Sequence, residues 1–121
     1  MLACIYRSPD SDFYAFLHTL ELLIFKVSSK EKRLILCGDL NVNFLQHSSK
    51  LLDLQNLLHM NNLINIVKSP TRISNHSISL IDVIILHNMN NEMFTVNQDL
   101  GYSDQLAQLL YIKSKTLQMV Q

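Results

Sequence analysis

Four consecutive apolar residues at positions 34–37, followed by Gly38-Asp39-Leu40-Asn41, constrain this chain more than any other stretch. An apolar run of this length predicts a strand buried on both faces, and the glycine ends it. Residues two apart on an extended backbone point the same way, so Asp39 and Asn41 would leave the strand side by side. The carboxylate suits a hard cation or a bound water, and the amide suits a phosphoryl oxygen. The alternative is an Asx-rich turn without chemistry, because Asp, Asn and Gly dominate turns.

The composition indicates one globular domain of 121 residues, with 48% hydrophobic and 17% charged side chains. The 10 basic and 10 acidic residues cancel, and this lack of a basic excess counts against tight DNA binding by the chain alone. No apolar run is long enough to cross a membrane, and residues 1–5 lack the basic region of a signal peptide. Cys4 and Cys37 lie in apolar runs without metal-ligand spacing, so we expect reduced, buried thiols in an intracellular protein.

Hydrophobic periodicity predicts alternating strands and helices. The first strand is Leu2–Tyr6, and a helix is predicted over about 11–27, capped by one of the polar residues at 10–12. A second helix begins after a serine at 48 or 49 and ends at 61–62. Further segments are predicted as strands at 63–67, 80–86, 93–96 and 106–112, a polar loop at 68–76, and a loose tail after residue 112. This order predicts a layered α/β fold with a mixed sheet.

Three acids, Asp39, Asp82 and Asp104, lie in or beside predicted strands. Asp82 interrupts an apolar run, and a carboxylate in such a place must be paired or take part in chemistry. Because three strand ends can converge on one side of a sheet, these acids are candidates for a single site.

Four short motifs, taken in order, resemble the endonuclease/exonuclease/phosphatase family: Ile5-Tyr6-Arg7-Ser8-Pro9, Cys37-Gly38-Asp39-Leu40-Asn41, Ser79-Leu80-Ile81-Asp82-Val83-Ile84 and Gly101-Tyr102-Ser103-Asp104-Gln105. The loop Ser69-Pro70-Thr71-Arg72 narrows the resemblance to the apurinic-type endonuclease domain of LINE-like (non-LTR) retrotransposons, which lies upstream of their reverse transcriptase. The resemblance implies that residues 1–112 are the C-terminal half of such a domain and 113–121 a tail. It also implies about half of a two-sheet α/β sandwich, with one mixed sheet, two main helices, and Cys4 and Cys37 on neighbouring strands.

The resemblance further implies a DNA endonuclease that hydrolyses phosphodiesters with a divalent cation, commonly Mg²⁺. Tyr6 would contact the scissile phosphate, Asp39 would orient or activate the attacking water, and Asn41 would bind a phosphoryl oxygen. Asp82 would partner a catalytic histidine, at whose position this chain has Gln105. The residues implied to hold the metal are Asp104 and Asp39, and those implied to face DNA are Thr71, Arg72 and Ser79.

Two departures from the family pattern predict an impaired enzyme. Gln105 stands where the family has its catalytic histidine, and glutamine can neither transfer a proton nor carry a positive charge near neutral pH. Losing a catalytic histidine typically lowers the rate on the order of a hundredfold. The family's N-terminal half supplies a metal-binding glutamate, whereas this chain begins at the strand before Tyr6, so we expect it to be truncated.

Three functions therefore stay open: an endonuclease domain, a non-catalytic retroelement remnant, and a binding module that retained the fold. A functional endonuclease domain of this kind would be nuclear. The sheet face that packs on the second sheet in the family would be uncovered here, which invites self-association.

Overall fold

The computed structural model describes residues 1–30 and 33–87, together with the backbone of two further strands at 93–98 and 107–112. The helices in this part of the chain are α1 (Phe13–Ser29) and α2 (Ser49–Met60), and none of the described helices is long and apolar enough to span a membrane. The strands, in chain order, are β1 (Leu2–Tyr6), β2 (Ile35–Asp39), β3 (Leu63–Asn65), β4 (Arg72–Ile73), β5 (Ile78–Ser79), β6 (Asp82–His87), β7 (Met93–Gln98) and β8 (Ala107–Ile112).

The main sheet has the strand order β1-β2-β6-β3. β1 and β2 are parallel because α1 connects them as a crossover, while β6 is antiparallel to both β2 and β3. Two antiparallel pairs, β4–β5 and β7–β8, form separate two-stranded sheets. The predicted fold class, an α/β domain with a mixed sheet and two main helices, is confirmed.

Polar side chains fix where both helices begin. The Asp12 carboxylate accepts hydrogen bonds from the N–H groups of Tyr14 and Ala15, and the Ser48 hydroxyl accepts one from Leu51. α1 starts at residue 13 instead of 11 because the last of the three candidate caps is the one that is used. α2 starts directly after Ser48, as predicted.

One face of the sheet packs against both helices and forms the main core. Leading contributors from α1, α2, β2 and β6 are at most 2% exposed: Leu20, Leu54, Leu36 and Ile85. Truncating a buried side chain of this kind to alanine costs about 2–5 kcal/mol. This packing therefore holds the strands in position and leaves their alternate residues on the other face.

The opposite face of the sheet, called here the distal face, carries three rows of side chains across β1, β2 and β6. The register aligns Leu2, Ile35 and Leu86 in one row, Cys4, Cys37 and Ile84 in the next, and Tyr6, Asp39 and Asp82 in the third. Ile35 and Cys37 are only half-buried, and Cys4 is exposed. The predictions that β2 is buried on both faces and that both thiols are buried are therefore wrong, because the helices cover one face only.

The segment at 68–76, predicted as one polar loop, contains β4, which pairs with β5. β6 begins at Asp82 instead of residue 80, because Leu80 and Ile81 bond to the loop after β2. The Phe44 N–H, for example, donates to the Leu80 carbonyl at 2.9 Å. Asp82 is therefore the first residue of its strand and not an interior one, although it is buried as predicted.

Gly38 lies where β2 approaches β1 too closely for any side chain. Its φ is +145°, a conformation that side-chain-bearing residues rarely adopt. A Cβ atom at this position would lie 1.7 Å from the Ile5 carbonyl oxygen, which is part of the neighbouring backbone. The pairing of the two strands therefore requires glycine here.

Replacing Gly38 by alanine should lower the free energy of unfolding by about 3 kcal/mol or more, because the methyl group would displace the Ile5 backbone or break the pairing of β1 with β2. Urea denaturation followed by circular dichroism measures the change. The control Asn75→Ala, in the exposed turn between β4 and β5, should shift it by less than about 0.5 kcal/mol. A Gly38→Ala protein as stable as the wild type would contradict the close approach.

Candidate active site

Tyr6, Asp39 and Asp82 form the last row of the distal face. Tyr6 pairs with Asp39 across the parallel strands, and Asp39 pairs with Asp82 across the antiparallel strands. The row runs from exposed to buried, since Tyr6 is 69% exposed whereas the side chains of Asp39 and Asp82 are 15% and 7% exposed. Candidate residues from three separate motifs thus lie together at one end of the sheet.

The Arg72 guanidinium lies against both carboxylates of this row. Its Nη2 is 2.9 Å from Asp39 Oδ2, and its Nε is 3.7 Å from Asp82 Oδ2. The pairing of β4 with β5, in which Arg72 is the register partner of Ser79, fixes the position of the Arg72 backbone. The resemblance implied a DNA contact for Arg72, and its side chain, 34% exposed, is still reachable from solvent. In this structure its charge offsets the two negative charges of the row.

Thr71 supports Asp82 from the protein interior. Its side chain is fully buried, and its hydroxyl oxygen accepts hydrogen bonds from the N–H groups of Ile81 at 3.1 Å and Asp82 at 3.3 Å. The DNA contact implied for Thr71 does not fit this burial, because no DNA strand could reach the hydroxyl. Ser79, also implied to face DNA, is half-buried in β5, and its carbonyl accepts the Thr71 N–H at 2.8 Å.

Burial raises the pKa of the Asp82 carboxyl above its ordinary value, because desolvation penalises the charged form. The Thr71 hydroxyl lowers this pKa, the negative charge of Asp39 raises it further, and the Arg72 guanidinium lowers it. Desolvation outweighs the nearby cation, so Asp82 holds a proton more readily than an exposed aspartate does.

Asn41 does not extend from β2 beside Asp39. Its φ is +51°, in the left-handed region, and its N–H donates to Asp39 Oδ1 at 2.9 Å. This is the Asx turn that the sequence left open as an alternative. The Asn41 Nδ2, implied to bind a phosphoryl oxygen, donates to the Arg7 carbonyl at 2.6 Å. The prediction that Asp39 and Asn41 project together from an extended backbone is therefore wrong.

Arg7 is a buried structural residue to which the sequence pattern assigned no role. Its Nε donates to the Leu40 carbonyl at 2.7 Å, and its Nη2 donates to the Asn41 carbonyl at 3.0 Å. Its guanidinium carbon also lies 5.5 Å from the centre of the Phe13 ring. The sequence feature that could have identified Arg7 is its position at a strand end, directly before the Ser-Pro break. Arg7 joins the loops that follow β1 and β2 and so fixes the ends of both strands.

The described residues place no cluster of metal-ligating side chains around the row. Among residues 1–30 and 33–87, no cluster of three or more His, Cys, Asp or Glu side chains could hold a metal ion. Carboxylate oxygens are the donors that Mg²⁺ prefers, but Asp39 and Asp82 already share the Arg72 cation. Asp104, implied as a metal ligand, and Gln105, implied at the position of the catalytic histidine, lie outside the described residues.

Replacing Thr71 by the isosteric valine should cost about 1–3 kcal/mol of unfolding free energy, because the buried N–H of Asp82 and the partly buried N–H of Ile81 lose their acceptor. Amide hydrogen exchange by NMR should accelerate at Ile81 and Asp82 in this variant. Thr71→Ser keeps the hydroxyl, so its exchange at these two positions should stay close to that of the wild type. Equal acceleration in both variants would show that the hydroxyl is not what holds Asp82.

The raised pKa of Asp82 also predicts a pH dependence. Ionising this carboxyl costs folding free energy, and the cost appears as pH rises from the ordinary carboxyl pKa, about 3.9, through the raised value. Asp82→Asn does not ionise, so its stability relative to the wild type should increase over that window and level off on either side of it. Urea titrations at a series of pH values test this, with the exposed Asp10→Asn as control. A difference that does not vary with pH would contradict the raised pKa.

Comparisons with known proteins agree with this architecture. A family model described as endonuclease-reverse transcriptase matches residues 1–106. The fold matches that of the endonuclease domain of TRAS1, a telomere-specific non-LTR retrotransposon, with a TM-score of 0.72 and 22% sequence identity. The match covers 91% of this chain and 56% of the TRAS1 chain, so this chain spans little more than half the length of that structure. A search of curated proteins finds no match.

The family match spans most of the chain and includes the complete Tyr6–Asp39–Asp82 row. The resemblance to retrotransposon endonucleases, drawn from four short motifs, is thereby confirmed. This chain belongs to the endonuclease-reverse transcriptase family.

Proposed function

We propose that this chain is a DNA endonuclease domain of the non-LTR retrotransposon type, which hydrolyses phosphodiester bonds. The observation that carries the proposal is the Tyr6–Asp39–Asp82 row, in which a phenol and two carboxylates lie side by side at one end of the sheet. The family supports the reaction class, and the row provides groups that this reaction needs.

Each member of the row suits one task in phosphodiester cleavage. The exposed Tyr6 hydroxyl can donate a hydrogen bond to a phosphoryl oxygen. The Asp39 carboxylate can orient an attacking water, which needs an acceptor held in a fixed direction. Asp82, with its raised pKa, can exchange a proton near the developing charge.

Arg72 provides the positive charge of the site. A guanidinium binds phosphate oxygens through two parallel donors, so a phosphodiester would compete with Asp39 for Nη2. Binding of DNA would then release the Asp39 oxygen that orients water. The ion pair therefore keeps the carboxylates compensated in the free protein and gives the substrate a cation to bind.

We further propose that cleavage depends on a divalent cation and that this chain alone cleaves poorly. Among the described residues, Asp39 and Asp82 face Arg72 and no third metal-ligating side chain, and a glutamine stands where the family has a histidine. A DNA endonuclease domain of this kind would act in the nucleus. A second function, a DNA-binding module without catalysis, is favoured by the Arg72 guanidinium, which compensates both carboxylates and is still reachable from solvent.

The 121-residue chain should show no detectable nicking of supercoiled plasmid DNA in Mg²⁺. Fusing the N-terminal half of a non-LTR retrotransposon endonuclease to the Gln105→His variant should give nicking, measured as open-circular product. In that fusion Asp39→Ala should lower the rate by about a hundredfold or more, because the water loses its orienting carboxylate. The control Asp53→Ala, on α2 and away from the distal face, should leave the rate unchanged.

The outcomes separate the two functions. A fusion that binds duplex DNA in fluorescence anisotropy but never nicks it would favour the binding module. Nicking by the unmodified 121-residue chain, lost on Asp39→Ala, would contradict the proposed impairment. Nicking by the fusion that survives Asp39→Ala would contradict the assignment of the row.

A further inference from the structure

The two cysteines of the chain face each other across β1 and β2. Cys4 and Cys37 are register partners on these parallel strands, and their Sγ atoms are 3.4 Å apart. Neighbouring strands are about 4.8 Å apart, which lies within the Cα separation of roughly 4.4–6.8 Å that a disulfide bridges. The two sulfur atoms can therefore bond after a small side-chain rotation, without movement of either strand.

The pair is open to reagents from one side. Cys4 is exposed, whereas Cys37 is half-buried. Burial raises the pKa of the Cys37 thiol, and its hydrogen bond with Cys4 raises it further, so Cys37 is less ionised and less reactive than an ordinary thiol. An oxidant in solution therefore reacts with Cys4 first, and the Cys37 thiol is in van der Waals contact with the oxidised sulfur.

We propose that Cys4 and Cys37 form a reversible disulfide site on the distal face, closed by hydrogen peroxide. The Cys4 thiolate attacks one peroxide oxygen, the O–O bond breaks, and the sulfur becomes a sulfenic acid, while the departing hydroxide takes up the proton that the thiol released and leaves as the first water. The Cys37 sulfur then displaces the sulfenic oxygen, which leaves with a proton as the second water. Two thiols thus lose two electrons to one peroxide, which is reduced to two waters.

The bond would lie directly beside the candidate active site. Tyr6 and Asp39 follow the two cysteines by two residues on the same strands and the same face. A disulfide would fasten the edge strand β1 to β2 at the row next to Tyr6–Asp39–Asp82. The bond depends on the thiol geometry alone, so it would form whether or not the chain is a nuclease.

The test uses the full reduced chain treated with hydrogen peroxide, then denatured and alkylated with N-ethylmaleimide. Intact mass spectrometry should show a monomer lighter by two hydrogens that takes up no maleimide, and dithiothreitol should restore two reactive thiols. After trypsin without reductant, the peptide of residues 1–7 should be joined to that of residues 34–50. Cys4→Ser and Cys37→Ser should each give no such intramolecular product.

A second probe tests proximity without oxidation. Phenylarsine oxide carries trivalent arsenic that bridges two adjacent thiols, so it should protect both cysteines of the native protein from maleimide. Either single serine variant should stay fully reactive at its remaining thiol. Peroxide products limited to oxidised Cys4 or to dimers linked between chains would overturn the proposal. Two thiols that phenylarsine oxide leaves unprotected would do the same. These readouts on the wild type decide the matter even where a serine variant fails to fold.

Discussion

The pairing of β2 with both β1 and β6 is the constraint on which the candidate site depends. Gly38 allows β2 to approach the Ile5 backbone, and the resulting register aligns one residue from each strand in every row. A slip of one residue would turn Asp39 toward the helices and Leu36 toward the distal face. The helix-covered core opposes that slip, because buried carboxylates without partners and exposed leucines both cost free energy.

Local chemistry determines which parts of the fold the sequence predicts. Helical spacing of apolar residues and the caps at Asp12 and Ser48 act within a few residues, so the helices were predicted to within two residues at their starts. The burial of Asp82 was predicted because the residues on both sides of this acid are apolar and carry it into the interior. The exposure of Cys4 was not predicted, since an apolar strand does not reveal which of its faces the helices cover.

The features that could not be predicted are contacts between distant segments. Arg72 lies 33 residues from Asp39 along the chain, and Arg7 lies 34 residues from Asn41. Spacing in the sequence carries no information about such pairs until the register of β2 is known. The left-handed turn at Asn41 illustrates this, because the Arg7 side chain and carbonyl hold a conformation that short-range propensity only permits.

Asp39 divides its two oxygens between structure and proposed chemistry. Oδ1 accepts the Asn41 N–H and closes the turn, while Oδ2 faces the Arg72 guanidinium. Oδ2 can change partners without opening the loop, so the proposed function places the attacking water on the Arg72 side. A guanidinium has five donor hydrogens, which lets it turn Nη2 toward a phosphate while Nε stays near Asp82. The chain has no net charge, and the Asp39 and Asp82 carboxylates alone would repel a polyanion such as DNA. Arg72 can thereby present a local positive charge to DNA at this site.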